Sequence, residues 1–103
     1  MDYEIKTILG ALVFEASNGG RYATATLMAS NYKLRILGGY TNNTQQLGAE
    51  IEEDNLHARE AVGVIMMALG IPHNEDVWCE MLDTLQIHVA ERVTYFERRI
   101  SGL

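Results

Sequence analysis

Glu50-x-x-Glu53 and Glu80-x-x-Asp83 are the residues whose type and spacing come nearest to a chemistry. Side chains three apart on an α-helix share a face. Two such pairs on facing helices would therefore aim four carboxylates at one point and hold Mg²⁺ through oxygen ligands. The strong transition-metal ligands are His57, His73, His88 and Cys79. None recurs at Cys-x-x-Cys or His-x-x-x-His spacing. Asp54-x-x-His57 is a single pair, where a di-iron bundle uses two Glu-x-x-His units and further carboxylates. The favoured expectation is no metal and no cofactor, with Mg²⁺ as the alternative. Cys79 directly follows Trp78 and reads as a small packing group rather than a nucleophile, which would need an orienting base in space.

The paired acids resemble the E-x-x-E…E-x-x-D pattern of the MazG-like all-α nucleotide pyrophosphohydrolases, over about a third of the chain. The resemblance implies that Glu50, Glu53, Glu80 and Asp83 bind magnesium, which activates water for attack on a nucleoside triphosphate. The sequence departs from that pattern after the first pair. Asp54-Asn55 carries helix-breaking chemistry, and the apolar stretch beyond it has no acidic repeat. Charged helix faces are ordinarily just solvated, and that is the preferred reading of all four acids.

Two glycine pairs invite comparison with phosphate cradles. Asn18-Gly19-Gly20-Arg21 lacks G-x-x-x-x-G-K, and Leu37-Gly38-Gly39-Tyr40 lacks G-x-G-x-x-G, so turn formation accounts for both. Arg21 and Tyr22 beside the first pair keep open a small-ligand or nucleotide site at a subunit interface. Tyr3, Tyr22, Tyr32 and Tyr40, with Lys33 and Arg35 nearby, would stack bases if one sheet face gathered them. Core and edge packing is the preferred account, because these few cations form no patch.

Charge sharpens the partner question. The net charge is −6, and residues 1–48 hold only Asp2, Glu4 and Glu15 against Lys6, Arg21, Lys33 and Arg35. The acidity therefore lies in the second half. Such a surface disfavours a nucleic-acid backbone and suits a basic protein partner. A single cysteine rules out an intramolecular disulfide, and Met1-Asp2-Tyr3-Glu4-Ile5-Lys6 lacks signal-peptide order, so the expected setting is cytoplasmic. The longest apolar run, Ala61–Leu69, is about half a membrane span, and no membrane crossing is expected. At 103 residues the chain is read as a single domain, residues 1–103.

The elements that must position these groups follow from periodicity. Residues 2–17 fit either a helix or a strand. Arg21–Ala29 and Lys33–Ile36 alternate around Ser30-Asn31, which favours a hairpin over a helix with Ala25, Met28, Ala29, Tyr32 and Ile36 on one face. Thr44 or Asn55 is expected to cap the next helix, which carries the apolar run Ala61–Leu69 and stops at Gly70 and Pro72. A run apolar on every side predicts burial on every side, by the rest of the fold or by a second chain. Asn74, Glu75 and Asp76 open a last helix of about 25 residues, or roughly 37 Å, which is longer than the core of one small chain requires.

The sequence is therefore read as α+β. An N-terminal antiparallel β-meander, about 3–40, packs on a C-terminal helical hairpin, about 55–69 and 75–100. The alternative is an all-α four-helix bundle. The hairpin is expected to be where chains meet, through Val62, Ile65, Met66, Leu69, Trp78, Leu85, Val89, Arg92 and Phe96, in a homo-oligomer that is most simply a two-fold dimer. The functional expectation is a small acidic module without enzymatic activity, an inhibitor, immunity or regulatory protein that works by occupying a partner. The acids of the MazG-like pattern carry the enzymatic alternative.

Overall fold

A computed structural model of the chain describes residues 6–7, 13–28, 30–40 and 51–100. The architecture is α+β. Strands β1 (Lys6–Thr7), β2 (Val13–Asn18), β3 (Arg21–Leu27), β4 (Leu34–Tyr40) and β5 (Ile51–Leu56) form one antiparallel sheet in chain order. Helices α1 (Ala58–Ala68) and α2 (Glu75–Ile100) follow as a hairpin. The all-α bundle is thereby excluded. Its proposed helical face through Ala25, Met28, Tyr32 and Ile36 is split between two strands and their turn.

Period-two alternation builds the core. Phe14 and Ala16 on β2, Ala23, Ala25 and Leu27 on β3, and Leu34 and Ile36 on β4 are buried. The residues between them, such as Thr24, Thr26, Arg35 and Leu37, are half-exposed on the opposite face. The buried face receives Ala61, Val62, Ile65, Ala68 and Leu69 from α1 and Met81, Leu82 and Leu85 from α2. Each large apolar side chain so enclosed stabilises the fold by about 1.5–3 kcal/mol. Small residues on the strands bring α1 close to the sheet, and Gly38 is the tightest point. A Cβ placed on it would lie 2.5 Å from the Cβ of Ala68.

Local chemistry fixes the turns. Gly19 takes a positive φ of 62° in the two-residue turn joining β2 to β3, where Asn18 pairs with Arg21. The amide Nδ2 of Asn18 then donates to the carbonyl of Leu69 at 2.9 Å, which ties this turn to the end of α1. At that end Gly70 has φ 69°, the Ile71 N–H donates to the Met66 carbonyl at 3.0 Å and the Gly70 N–H to the Met67 carbonyl at 3.1 Å. This is a Schellman stop. Asn74 caps α2, its Oδ1 accepting from the Val77 N–H at 3.2 Å, with Glu75 and Asp76 in the first turn as expected.

Two expectations are corrected. The meander does not end at residue 40, because Ile51–Leu56 is a strand rather than the opening of a helix. Pairing with β4 sets Ile51 opposite Gly38 and Leu56 opposite Leu34, and Arg35 forms an ion pair with Asp54. A bulge near Asn55, whose φ is 61°, restores Leu56 to the buried side. A charged edge strand of this kind also discourages pairing with other chains. Secondly, Asn55 is not the cap of α1. His57 occupies that position, and its N–H donates to Glu60 Oε1 at 3.3 Å. The proposed Thr44 cap lies outside the described residues. No helix among the described residues is long and apolar enough to cross a membrane.

Candidate functional site

The acids of the magnesium pattern are distributed over different elements. Glu53 is exposed on β5, opposite Ile36, while Glu80 and Asp83 are exposed on α2. Glu50 lies outside the described residues. The first pair therefore lacks the helical face that the resemblance to an all-α family requires. Among the described residues no three His, Cys, Asp or Glu side chains gather closely enough to hold a metal ion.

Arg21 has a structural occupation. Its guanidinium lies 4.9 Å from the centre of the Tyr40 ring, and Nη2 donates to the Tyr40 hydroxyl at 3.0 Å. Its stem covers Gly70, where a Cβ would come within 3.1 Å of Nε. Tyr22 pairs with Gly39 on the half-exposed sheet face. Tyr3 lies outside the described residues, and Tyr22, Tyr32 and Tyr40 do not form one row. Tyr32, in the β3–β4 turn with φ 57°, stacks on Phe96 of α2 at 6.1 Å, well away from Tyr40.

Most of the residues expected at a chain–chain interface are instead enclosed by the chain itself. Val62, Ile65, Leu69 and Leu85 are completely buried, and Met66 nearly so. The sheet consumes the apolar side of α1 that composition alone would have offered to a partner. Trp78, Val89, Arg92 and Phe96 are only half-buried. Among the described residues His88 is the last buried side chain of α2, and beyond it Val89, Val93 and Phe96 are only partly buried where they pack against the edge of the core. Exposed Ile87 and Tyr95 add apolar surface on either side of His88.

His88 itself is not the half-exposed helix residue that its place in the sequence suggests. It is 7 % exposed, its ring meets Phe14 edge-on at 5.8 Å, and its Nε2 has no hydrogen-bond partner. Burial, with Arg92 one turn on, holds its pKa below the ordinary histidine value, against a smaller opposing pull from Glu91.

A second uncovered region of the hairpin lies at its closed end. A hollow of about 270 Å³ opens to solvent between α1 and the start of α2, lined by Gly63, Met66, Met67, Ile71, His73 and Trp78. It is mostly apolar and too small and open for a drug-sized ligand or cofactor, but it has room for a side chain or two. Met67 is 68 % exposed, which corrects the expectation that α1 is buried all round. Arg59 lies over the Trp78 ring at 5.3 Å and holds it across the groove.

Gly63 forms part of this wall, in mid-helix. Glycine there costs about 1 kcal/mol relative to alanine. Among the described residues nothing lies within 4 Å of a Cβ built at this position. Unlike Gly38, Gly63 is not demanded by packing within the chain. A glycine interrupting an apolar helical run was the one signal of this groove available in the sequence.

Comparison of the chain with protein-family models, with curated proteins and with solved structures returns no significant match.

Proposed function

We propose that the chain is a small acidic protein-binding module without enzymatic activity, an inhibitor, immunity or regulatory protein of the cytoplasm that acts by occupying a partner and assembles as a homo-oligomer, most simply a two-fold dimer. The observation that carries this reading is uncovered apolar surface on an acidic helical hairpin. Met67, Ile87 and Tyr95 are exposed and Trp78, Val93 and Phe96 are half-exposed, on helices that also display Glu75, Asp76, Glu80 and Asp83. Interfaces are enriched in such aromatic and methionine side chains. The free thiol of Cys79 is compatible with a reducing compartment.

The C-terminal half of α2 supplies the surface for a second copy. Val89, Val93 and Phe96 repeat along one side of it and are incompletely covered. Light scattering at micromolar concentration is expected to give the mass of two chains, and Phe96→Glu is expected to give one. A wild-type mass of one chain removes the dimer from the proposal. Incubation with Mg²⁺ and a panel of nucleoside triphosphates is expected to release no pyrophosphate. Release that is abolished by Glu80→Gln would replace the module with an enzyme.

A further inference from the structure

We infer that the groove between α1 and α2 at Gly63 is the docking site for a basic amphipathic segment of a partner protein, which seats an apolar side chain against Gly63, Met67 and Trp78. The inference rests on the protein-binding reading and adds to it a place and a partner chemistry. Three observations carry it. The first is the vacancy at Gly63. The chain keeps in mid-helix a residue that weakens the helix, although a Cβ at that position would touch nothing among the described residues. The space left there joins the hollow lined by Met66, Met67 and Trp78.

The second is the lining. Met67 is 68 % exposed and Trp78 half-exposed beside it, so an apolar wall is already facing water. Methionine adapts to irregular partner side chains, and a tryptophan steadied by Arg59 gives a flat platform.

The third is charge. Between His57 and Gln86 the hairpin displays Glu60, Glu75, Asp76, Glu80 and Asp83, all exposed, against Arg59 alone. Glu60 stands one turn from Gly63 and Glu75 one turn from Trp78, so acids flank both walls of the groove. Arg59 is committed to the face of Trp78. A second copy of this chain would bring the same acids to the same place, and like charges in juxtaposition oppose that contact. Lysines or arginines flanking an apolar anchor satisfy both the hollow and its rim, with the anchor on one helical face as in helix-in-groove recognition.

Trp78 is the only tryptophan, so its emission reports on the groove directly. The test titrates the full chain with a 16-residue amphipathic leucine–lysine helix, with a leucine–glutamate peptide of the same apolar pattern, and with a serine–lysine peptide that has the charge but no anchor. The leucine–lysine peptide is expected to shift Trp78 emission to the blue and to bind at least tenfold tighter than either control. Gly63→Phe fills the hollow and is expected to weaken that binding at least tenfold while unfolding at no lower temperature than the wild type. Glu60→Gln with Glu75→Gln is expected to weaken it several-fold and to flatten its salt dependence. Binding that leaves Trp78 emission unchanged, equal affinity for the acidic peptide, or full affinity in Gly63→Phe would overturn the docking site. Those results leave the module reading standing on the far half of α2, whereas nucleotide turnover would remove the module and not the groove.

Discussion

Helix α1 meets its two neighbours in opposite ways. Toward the sheet it closes down until Ala68 leaves no room for a Cβ on Gly38. Toward α2 it opens at Gly63, where a Cβ would touch nothing among the described residues, and Met67 stands in solvent. Both sides are apolar in sequence, and both have a glycine at the decisive place. One glycine permits contact inside the chain. The other withholds contact that the chain could have made with itself. An apolar pattern therefore identifies material that can be buried, while the fit of neighbouring elements decides which part of it is.

The closed side should carry most of the stability. Ile65 is completely buried there, and Ile65→Ala is expected to destabilise the protein by about 2–5 kcal/mol, through lost transfer energy and the cavity left behind. Urea denaturation checks this, with the midpoint falling and the slope unchanged. A loss under 1 kcal/mol would mean that α1 is not bedded on the sheet.

Gly38→Ala comes next. A methyl group on β4 must displace Ala68, and overpacking of this kind costs about 1–3 kcal/mol. The mechanism is steric and is separable from a general loss of glycine. Ala68→Gly in the same chain makes room for the new methyl, so the double variant should be more stable than the sum of the single losses. Strict additivity in that double-mutant cycle would break the contrast between the two glycines.

Gly63→Ala should reverse the sign. The helix gains alanine propensity and no neighbour objects, so stability is expected to rise by about 0.5–1 kcal/mol. Measured beside Gly38→Ala under the same denaturant, the same chemical change should push the midpoint in opposite directions. A fall at both positions would show that the open groove is closed in solution.

Much of the hairpin was legible in the sequence because its boundaries are set locally. Asn74, Gly70 and Pro72 act through backbone groups a few residues away. The strands β3 and β4 were legible for the same reason, through alternation around Ser30-Asn31, whereas β2 fell in a stretch that fits a helix as well as a strand. β5 was not legible. Glu52, Glu53 and Asp54 have no apolar period, and the segment is a strand because β4 offers hydrogen bonds and Arg35 offers a charge. Those partners are distant in sequence. Val62, Ile65 and Leu69, expected where chains meet, lie in the chain's own core for a related reason, since they share a helix face whether that face meets a sheet or another chain. Gly63 was visible in the sequence, but only the geometry distinguishes it from Gly38.

The packing of α2 leaves His88 imperfectly satisfied, and the pH dependence that this creates vanishes at neutral pH. His88 is buried against Phe14 with Nε2 unsatisfied, and Arg92 Nε, one turn away, also lacks a partner. Burial and the Arg92 charge lower the native pKa of His88. The unfolded chain titrates near the ordinary value of about 6.5. Above that pH both states are neutral and stability does not depend on this proton. As pH falls through it, the unfolded chain takes up a proton that the native chain refuses, so the native state loses stability until its own lower pKa is reached. Denaturation at pH 7.5 and at successively lower values should therefore show wild-type stability declining below the histidine range, whereas His88→Leu should remove that share of the decline. A variant with an undiminished acid slope would place the titrating group elsewhere and leave α2's contact with Phe14 indifferent to charge.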